Sequence, residues 1–273
     1  MDRARPPLRL FLAELIGTAL LVFGGLSAVI FMFGTGSPAG KLVPSVGLRR
    51  VITGFLFGSV GCAITLSPIG KVSGAHINPS VTLGFLLAGK LTPRAALGYT
   101  IAQLVGAVLG SLPLLLWGPM GRSVDFGATV PGDGYSTAAA LAGEVITTFG
   151  LVAALCVFLG FRNLRRFTPF MIPFLFAVMV GLEAGVSGTS TNPARTLGPA
   201  VISGRWEGWW IYWAGPLLGT LAGILVLSFL AVRIEVAKLY HFSDDRGGVF
   251  RAMTERVRRR SATLPTARSS PGH

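Results

Sequence analysis

Long runs of apolar residues, each nearly free of charge, follow one another along most of the chain. A helix needs about 20 such residues to cross the hydrocarbon core of a bilayer. Six runs reach that length, at residues 10–33, 51–70, 95–117, 139–161, 167–186 and 208–232. The pattern therefore predicts an integral membrane protein with six transmembrane helices.

Two stretches of mixed polarity lie between these runs, SGAHINPSVTLG at residues 73–84 and SGTSTNPARTLG at residues 187–198. Each is a loop of small residues, followed by Asn-Pro and by a run too short to cross a bilayer. Asn78 and Asn192 occupy the position of a helix N-cap, and Pro79 and Pro193 occupy the first helical position. We predict two half-helices, over about residues 78–88 and 192–203.

The two halves of the chain carry the same features in the same order. Each half has a glutamate in its first span, then the Asn-Pro motif, then a tyrosine and two glycines in its third span. The corresponding pairs are Glu14 and Glu144, Asn78 and Asn192, Tyr99 and Tyr212, Gly106 and Gly219, and Gly110 and Gly223. Because each half has an odd number of spans, the second half must be inverted relative to the first.

The predicted fold is therefore an all-α membrane protein, with six transmembrane helices plus two re-entrant half-helices in an inverted 3+3 repeat. The membrane domain covers residues 10–232, with repeat 1 at about 10–117 and repeat 2 at about 139–232. Residues 118–138 form an external linker between the repeats. A short tail, 1–9, and a basic, largely disordered tail, 233–273, complete the chain.

Composition supports the membrane assignment, and charge predicts the orientation. Only 13% of the residues are charged, whereas a soluble domain has about a quarter. If both ends share one side of the membrane, eighteen of the 24 lysines and arginines lie on that side and five on the other. Cytoplasmic loops carry such an excess, so we predict that both termini are cytoplasmic, in the cell (inner or plasma) membrane. Because these bases lie in tails and short loops, no nucleic-acid partner is predicted.

The inverted half-helices have a chemical consequence at the bilayer centre. Their N-terminal ends face each other there, and both carry the positive end of a helix dipole, which repels cations and hydronium. The side chains of Asn78 and Asn192 each retain an N–H donor for a passing oxygen. A water molecule held by both donors must point its hydrogens outward, which interrupts proton transfer along a file of water.

The motifs SGAHINPSVT and SGTSTNPAR, together with Glu14 and Glu144, resemble the aquaporin / major intrinsic protein family across residues 8–232. The resemblance implies a passive water channel that excludes protons and ions, with one pore in each subunit of a homotetramer. It also implies that the pore centre consists of Asn78, Pro79, Ser80, Asn192, Pro193 and Ala194. Ser80 stands where the family usually has alanine.

Arg195 directly follows the second motif, and a charge this deep in a membrane is costly and usually functional. In the family this arginine forms one wall of an external constriction, and the pattern then places Thr189, Val180 and Phe57 around it. The segment from Phe57 to Asn78 is one residue longer than the usual pattern, which leaves Gly58 as the alternative. An insertion in SPIGK, residues 67–71, accounts for the extra residue and favours Phe57.

Val180 bears on which solute passes. Water-selective members commonly have histidine there, so valine predicts a wider and less polar constriction. Glycerol facilitators, however, follow the arginine with aspartate, where this chain has Thr196. They also have longer loops than the 114 positions from Asn78 to Asn192 allow. Water is therefore the predicted solute, and glycerol, urea, ammonia or hydrogen peroxide are the alternatives.

Four further polar residues receive predicted roles. Glu14 and Glu144 are expected to anchor the two re-entrant loops. Glu183 either accepts hydrogen bonds from the backbone of residues 187–192, which we favour, or lies near Arg195 and weakens its positive barrier. His76 either packs within its loop, the favoured role, or lines the cytoplasmic half of the pore as a gate.

Other functional classes fit the sequence less well. A coupled secondary transporter can share inverted repeats and broken helices, but the motifs offer no carboxylate pair for ion coupling unless Glu183 serves. An enzyme is not predicted, because no His/Cys/Asp cluster has the spacing of a metal site or a catalytic triad. We expect no cofactor and no metal, and the predicted partners are water, small neutral solutes, the lipid bilayer and further copies of the chain.

Overall fold

A computed structural model of the protein describes residues 6–230 and Val232. The described residues form helices and loops and contain no β-strand. The α-helices are α1 (Leu8–Phe33), α2 (Ala39–Leu42), α3 (Val46–Leu66), α4 (Pro68–Ser73), α5 (Pro79–Leu87), α6 (Pro93–Ser111), α7 (Gly118–Arg122), α8 (Thr137–Gly160), α9 (Thr168–Glu183), α10 (Pro193–Ser203) and α11 (Ile211–Phe229). The tail predicted at 233–273 and the first five residues lie outside this description.

Six of the described helices are long and apolar enough to cross a membrane, as predicted. They are α1, α3, α6, α8, α9 and α11; a 3₁₀ segment, Leu112–Trp117, and α7 extend the third span, and a 3₁₀ turn, Arg165–Phe167, opens the fifth. We call the side where α1 begins and α11 ends the terminal face. The opposite side, which carries residues 118–136, is the linker face.

The second span begins at Val46, several residues before its predicted start at 51. Ser45 caps the helix, since its hydroxyl oxygen accepts a hydrogen bond from the backbone N–H of Leu48 at 3.2 Å. The charge of Arg49 does not end the helix, because its guanidinium donates to the carbonyl oxygen of Met32, near the end of α1, at 2.8 Å. An arginine at the membrane boundary thus serves as a cap for the neighbouring helix.

Glycines set the close approach of helices in both halves. A Cβ atom on Gly106 or Gly110 of α6 would lie 2.2 Å from a carbonyl oxygen of α1. In the second half, a Cβ atom on Gly219 of α11 would lie 2.5 Å from the carbonyl oxygen of Val145 in α8. The pairs α1–α6 and α8–α11 therefore cross in the same way, as the inverted repeat predicts.

The two halves also meet through α3 and α9, which run antiparallel. Gly54 lies against the carbonyl oxygen of Phe176 and against Val180, and Gly58 lies against Pro173. Moving along α3 toward the terminal face therefore means moving backward along the sequence of α9. This order fixes the relative depth of the residues that face the pore.

Candidate functional site

The loops that precede α5 and α10 have the same unusual backbone. In the first loop, Ala75 and Ile77 have positive φ angles of 54° and 43°. In the second loop, Thr189 and Thr191 occupy the equivalent positions with φ angles of 51° and 52°. Non-glycine residues pay roughly 1–2 kcal/mol each for this left-handed conformation, so surrounding contacts must hold the loops in place.

One buried carboxylate binds the backbone of each loop. The two oxygens of Glu14 accept hydrogen bonds from the backbone N–H groups of His76 and Ile77, at 3.0 and 2.7 Å. Those of Glu144 accept from Ser190 and Thr191, at 2.7 and 2.8 Å. The structure thus brings both predicted anchors to equivalent positions in their loops.

Tyrosines on the third span of each repeat reach the same loops. The hydroxyl of Tyr99 donates to the carbonyl oxygen of Ser73 at 2.7 Å, and that of Tyr212 donates to the carbonyl oxygen of Ser187 at 2.8 Å. The sequence pairs these tyrosines between the two halves but predicts no contact for them. In the structure both tyrosines hold a pore loop through a hydrogen bond to one of its carbonyl oxygens.

The support of the two carboxylates differs in one respect. Gln103 donates from Nε2 to Glu14 at 2.7 Å, a contact that the sequence analysis did not anticipate. Pro216 stands at the corresponding place in the second repeat and has no side-chain donor. There the hydroxyl of Ser187 donates to Glu144 instead, also at 2.7 Å.

The two Asn-Pro motifs are joined across the centre of the protein. Asn78 and Asn192 each cap their own half-helix, since Oδ1 accepts from the backbone N–H groups of Ser80 and Ala194 at 2.8 and 3.0 Å. Each Nδ2 donates to a carbonyl oxygen of the opposite loop: Asn78 to Thr191 at 2.9 Å, and Asn192 to Ile77 at 3.0 Å. An amide NH₂ group has two hydrogens, so one on each asparagine remains for another acceptor.

Both asparagines border an internal cavity of about 50 Å³. One water molecule needs roughly 10–15 Å³ of such space, so the cavity has room for a short file of water. Phe57 and its alternative Gly58 both line it, as does Phe176, which the sequence analysis did not consider. The remaining wall is mostly aliphatic, so the asparagines provide rare hydrogen-bond donors within it.

His76 borders the same cavity and is also packed inside its loop. Its ring stacks on Phe85 with 4.2 Å between centroids and meets the edge of Tyr99 at 5.2 Å. Its Nδ1 lies 3.4 Å from the hydroxyl of Thr82. The two roles considered for this histidine are therefore compatible in one position.

Arg195 is buried beside the second motif and is held by the linker. Its Nη1 donates to the carbonyl oxygen of Gly127 at 2.7 Å. Next to it, the hydroxyl of Thr196 lies 2.7 Å from those of Thr129 and Ser190. From the sequence, residues 118–138 are predicted only as a linker between the repeats. Its composition gave no signal that residues 127–129 fold back onto the pore motif.

Val180, Thr189 and Glu183 lie toward the linker face, outside the lining of the cavity that Phe57 borders. Val180 is half-buried against Gly54. The hydroxyl of Thr189 donates to Oε2 of Glu183, whose other oxygen faces Gly143. The sequence predicts that Glu183 accepts from the backbone of residues 187–192, whereas this hydrogen bond comes from the side chain of Thr189, itself predicted to lie near Arg195. Within residues 6–230, no ion pair of 4.0 Å or less links Arg195 to a carboxylate.

The site contains polar groups that can guide a small molecule along an apolar passage. The described residues include no group of three or more His, Cys, Asp or Glu side chains placed to hold a metal ion. Its functional groups are the amide donors of two asparagines, one arginine and an apolar wall. Such an arrangement suits the selective passage of a small molecule through the membrane.

Known proteins resemble this chain in sequence and in fold. The profile of the Major intrinsic protein family matches residues 3–227. Aquaporin-8 of Rattus norvegicus is 32% identical over 222 residues, which cover 80% of each chain. Probable aquaporin TIP2-2 of Oryza sativa subsp. japonica is 35% identical over 228 residues, or 80% of this chain and 86% of that protein.

A solved structure agrees with the fold. The aquaglyceroporin from Plasmodium falciparum superposes with a TM-score of 0.66 at 21% sequence identity, covering 82% of this chain and 96% of that chain. The fold class predicted from the sequence is therefore confirmed. Because the family profile matches nearly the whole chain and the relatives are more than 30% identical, this protein belongs to the Major intrinsic protein family and is a membrane channel rather than an enzyme.

Proposed function

We propose that the protein is a passive water channel that excludes protons and ions. The observation that carries this proposal is the pair of asparagines at the cavity. Each uses one amide hydrogen to bind the opposite loop and keeps the second for a solute oxygen. In a wall that is otherwise mostly aliphatic, these donors are where a passing water molecule is bound.

Proton exclusion follows from the orientation of a water molecule at this point. Its oxygen accepts from Asn78 and Asn192, so both of its hydrogens point away along the pore. The oxygen then has no free lone pair to receive a proton from a neighbouring water. The N-terminal ends of α5 and α10 add partial positive charge at the same place and repel hydronium.

Arg195 provides a second barrier, toward the linker face. Its contact with Gly127 fixes the guanidinium, and a fixed positive charge in a region of low dielectric repels cations strongly. We place Thr189, Val180 and Phe57 around it as the remaining walls of the constriction. Glu183, through its bond to the Thr189 hydroxyl, holds this part of the loop.

Passage of small neutral solutes is the second candidate function, and one residue favours it. Val180 is apolar and offers no hydrogen bond at the predicted constriction. A constriction with an apolar wall at this point favours the passage of glycerol, urea, ammonia or hydrogen peroxide. Water and these solutes differ in size and hydrogen bonding, so direct permeability measurements separate them.

Stopped-flow light scattering on proteoliposomes tests the proposal. Vesicles with the protein should shrink faster than empty vesicles in a sucrose gradient, and should re-swell in glycerol or urea no faster than empty vesicles. A pH-sensitive dye inside the same vesicles should report no added proton flux. Shrinkage at the rate of empty vesicles would contradict the water channel, and rapid re-swelling would favour the second candidate.

We also propose a homotetramer in the cell membrane, with one pore per subunit and both termini in the cytoplasm. An apolar groove of about 480 Å³ between α8 and α9, lined by aromatic residues such as Phe167, Phe170 and Phe174, supports contact with lipid or another subunit. Native mass spectrometry from detergent counts the subunits. A monomeric mass alone would contradict the tetramer.

A further inference from the structure

Two aromatic rings face each other where the two repeats meet. Phe57 of α3 and Phe176 of α9 stack with 5.7 Å between ring centroids and 15° between ring planes. Both side chains line the cavity that reaches Asn78 and Asn192. The pair therefore belongs to the pore wall, and one of its members, Phe176, has no role in the constriction described above.

The order of residues along the helices places this pair at one end of the cavity. On α3 the lining residues are Phe57, Gly58, Gly61 and Thr65, of which Phe57 is nearest the linker face. On α9 they are Ile172 and Phe176, and Phe176 is nearest the linker face. Val180, one turn further along α9, is not part of the lining. The two rings thus bound the cavity on the side of Arg195.

Glycines of neighbouring helices pack closely against the ring of Phe57 and against the backbone of Phe176. A Cβ atom on Gly25 of α1 would lie 2.4 Å from ring atoms of Phe57, so this ring already fills the space behind it. At Phe176, a Cβ atom on Gly54 would lie 2.3 Å from the carbonyl oxygen. Since α3 touches the backbone of α9 there, the segment that carries the second ring is held close to α3, and the ring itself stacks on Phe57.

We propose that the Phe57–Phe176 pair is the size barrier of the channel against neutral solutes larger than water, such as polyols and ureas. The inference rests on the proposed function and places the barrier one helical turn toward the terminal face from Val180. It makes Phe176 a further specificity-determining residue. An apolar valine at position 180 then leaves the pore narrow, because the next turn of α9 supplies an aromatic ring stacked on Phe57.

The physical reason is the loss of hydration at the pair. A polyol or a urea has several polar groups, and the aromatic faces replace none of the hydrogen bonds that these groups lose. Water loses fewer bonds and reaches Asn78 and Asn192 directly beyond the rings. A pair of rigid rings therefore slows large polar solutes much more than it slows water.

The test compares permeabilities of reconstituted variants, normalised to the amount of protein in the vesicles. We expect Phe176→Val to raise glycerol and urea permeability at least about tenfold, which corresponds to about 1.4 kcal/mol of barrier, with a smaller change for water. Phe176→Leu should give an intermediate increase and also serves if the valine variant does not fold. Val180→Ala should raise solute permeability less than Phe176→Val.

The chain offers a matched control for this experiment. Phe55 and Phe174 also join α3 to α9, with 5.4 Å between centroids, but lie on the exposed side of the bundle. Phe55→Leu therefore removes an aromatic ring that joins the same two helices, without touching the cavity. It should leave both water and solute permeability at the values of the unmodified protein.

The outcomes separate this inference from the proposed function. If the unmodified protein does not speed osmotic shrinkage, the water channel itself is wrong. If it conducts water but Phe176→Val and Phe176→Leu leave glycerol and urea permeability unchanged, the channel stands and the aromatic barrier is rejected. Rapid glycerol passage through the unmodified protein, or a larger effect of Val180→Ala, would also overturn the proposed barrier.

Discussion

Each pore loop depends on one carboxylate that binds two backbone N–H groups. The left-handed residues Thr189 and Thr191 lie in a loop that Glu144 holds through the backbone N–H groups of Ser190 and Thr191. An unpaired buried N–H group costs about 1–3 kcal/mol. We therefore predict that Glu144→Ala lowers the free energy of unfolding by at least about 2 kcal/mol, measured as thermal unfolding in detergent.

Glu207 provides the control for this prediction. It pairs with Arg205 at 3.2 Å on the surface, and exposed ion pairs contribute about 0–1 kcal/mol. Glu207→Ala should therefore hardly change the unfolding temperature. Equal shifts for the two variants would show that the buried carboxylate does not carry the stability of its loop.

For single residues, the sequence predicts those features that depend only on neighbouring residues in the chain. Asn78 and Pro79 define a helix start through their own chemistry, whatever surrounds them. The contacts of Gln103, Gly127 and Phe176 depend on which distant segments meet, so no local signal identified them. The interaction of Glu183 with the Thr189 side chain was missed for the same reason.

Among the helices, glycine decides which pairs can cross closely. Gly106 and Gly150 both lie inside long helices, yet only Gly106 meets another backbone. A Cβ atom on Gly106 would lie 2.2 Å from the carbonyl oxygen of Leu15, whereas a Cβ atom on Gly150 would meet nothing within 4 Å. The sequence pairs Gly106 with Gly219 of the second repeat, but it does not show how closely the helices approach at these glycines.

We predict opposite effects of alanine at these two glycines. Gly106→Ala should destabilise the protein by about 1–3 kcal/mol, because α1 and α6 must separate. Gly150→Ala should be neutral or stabilising by up to about 1 kcal/mol, since alanine favours the helix and meets no neighbour. Thermal unfolding in detergent measures both. A Gly106→Ala variant as stable as the unmodified protein would contradict the close crossing of α1 and α6.

For the whole molecule, the number of spans per half and the order of the motifs were sufficient to predict the inverted repeat. The ends of the spans were less predictable, because the start of α3 depends on the pairing of Arg49 with Met32 in a neighbouring helix. Orientation in the membrane depends on charge beyond the helices. Basic residues of the terminal face include Arg162, Arg165 and Arg166.

The distribution of charge predicts that the terminal face is cytoplasmic. In the described residues, the acids that are not buried, Asp125, Asp133 and Glu207, all lie on the linker face, whereas the loop at 161–167 is purely basic. Loops rich in lysine and arginine stay in the cytoplasm.

A membrane-impermeant maleimide should therefore label Asp133→Cys in intact cells and label Asn163→Cys only after permeabilisation. The unmodified chain is the control, because Cys156 is buried and Cys62 lies within α3. Labelling of Asn163→Cys in intact cells, with Asp133→Cys protected, would require the opposite orientation.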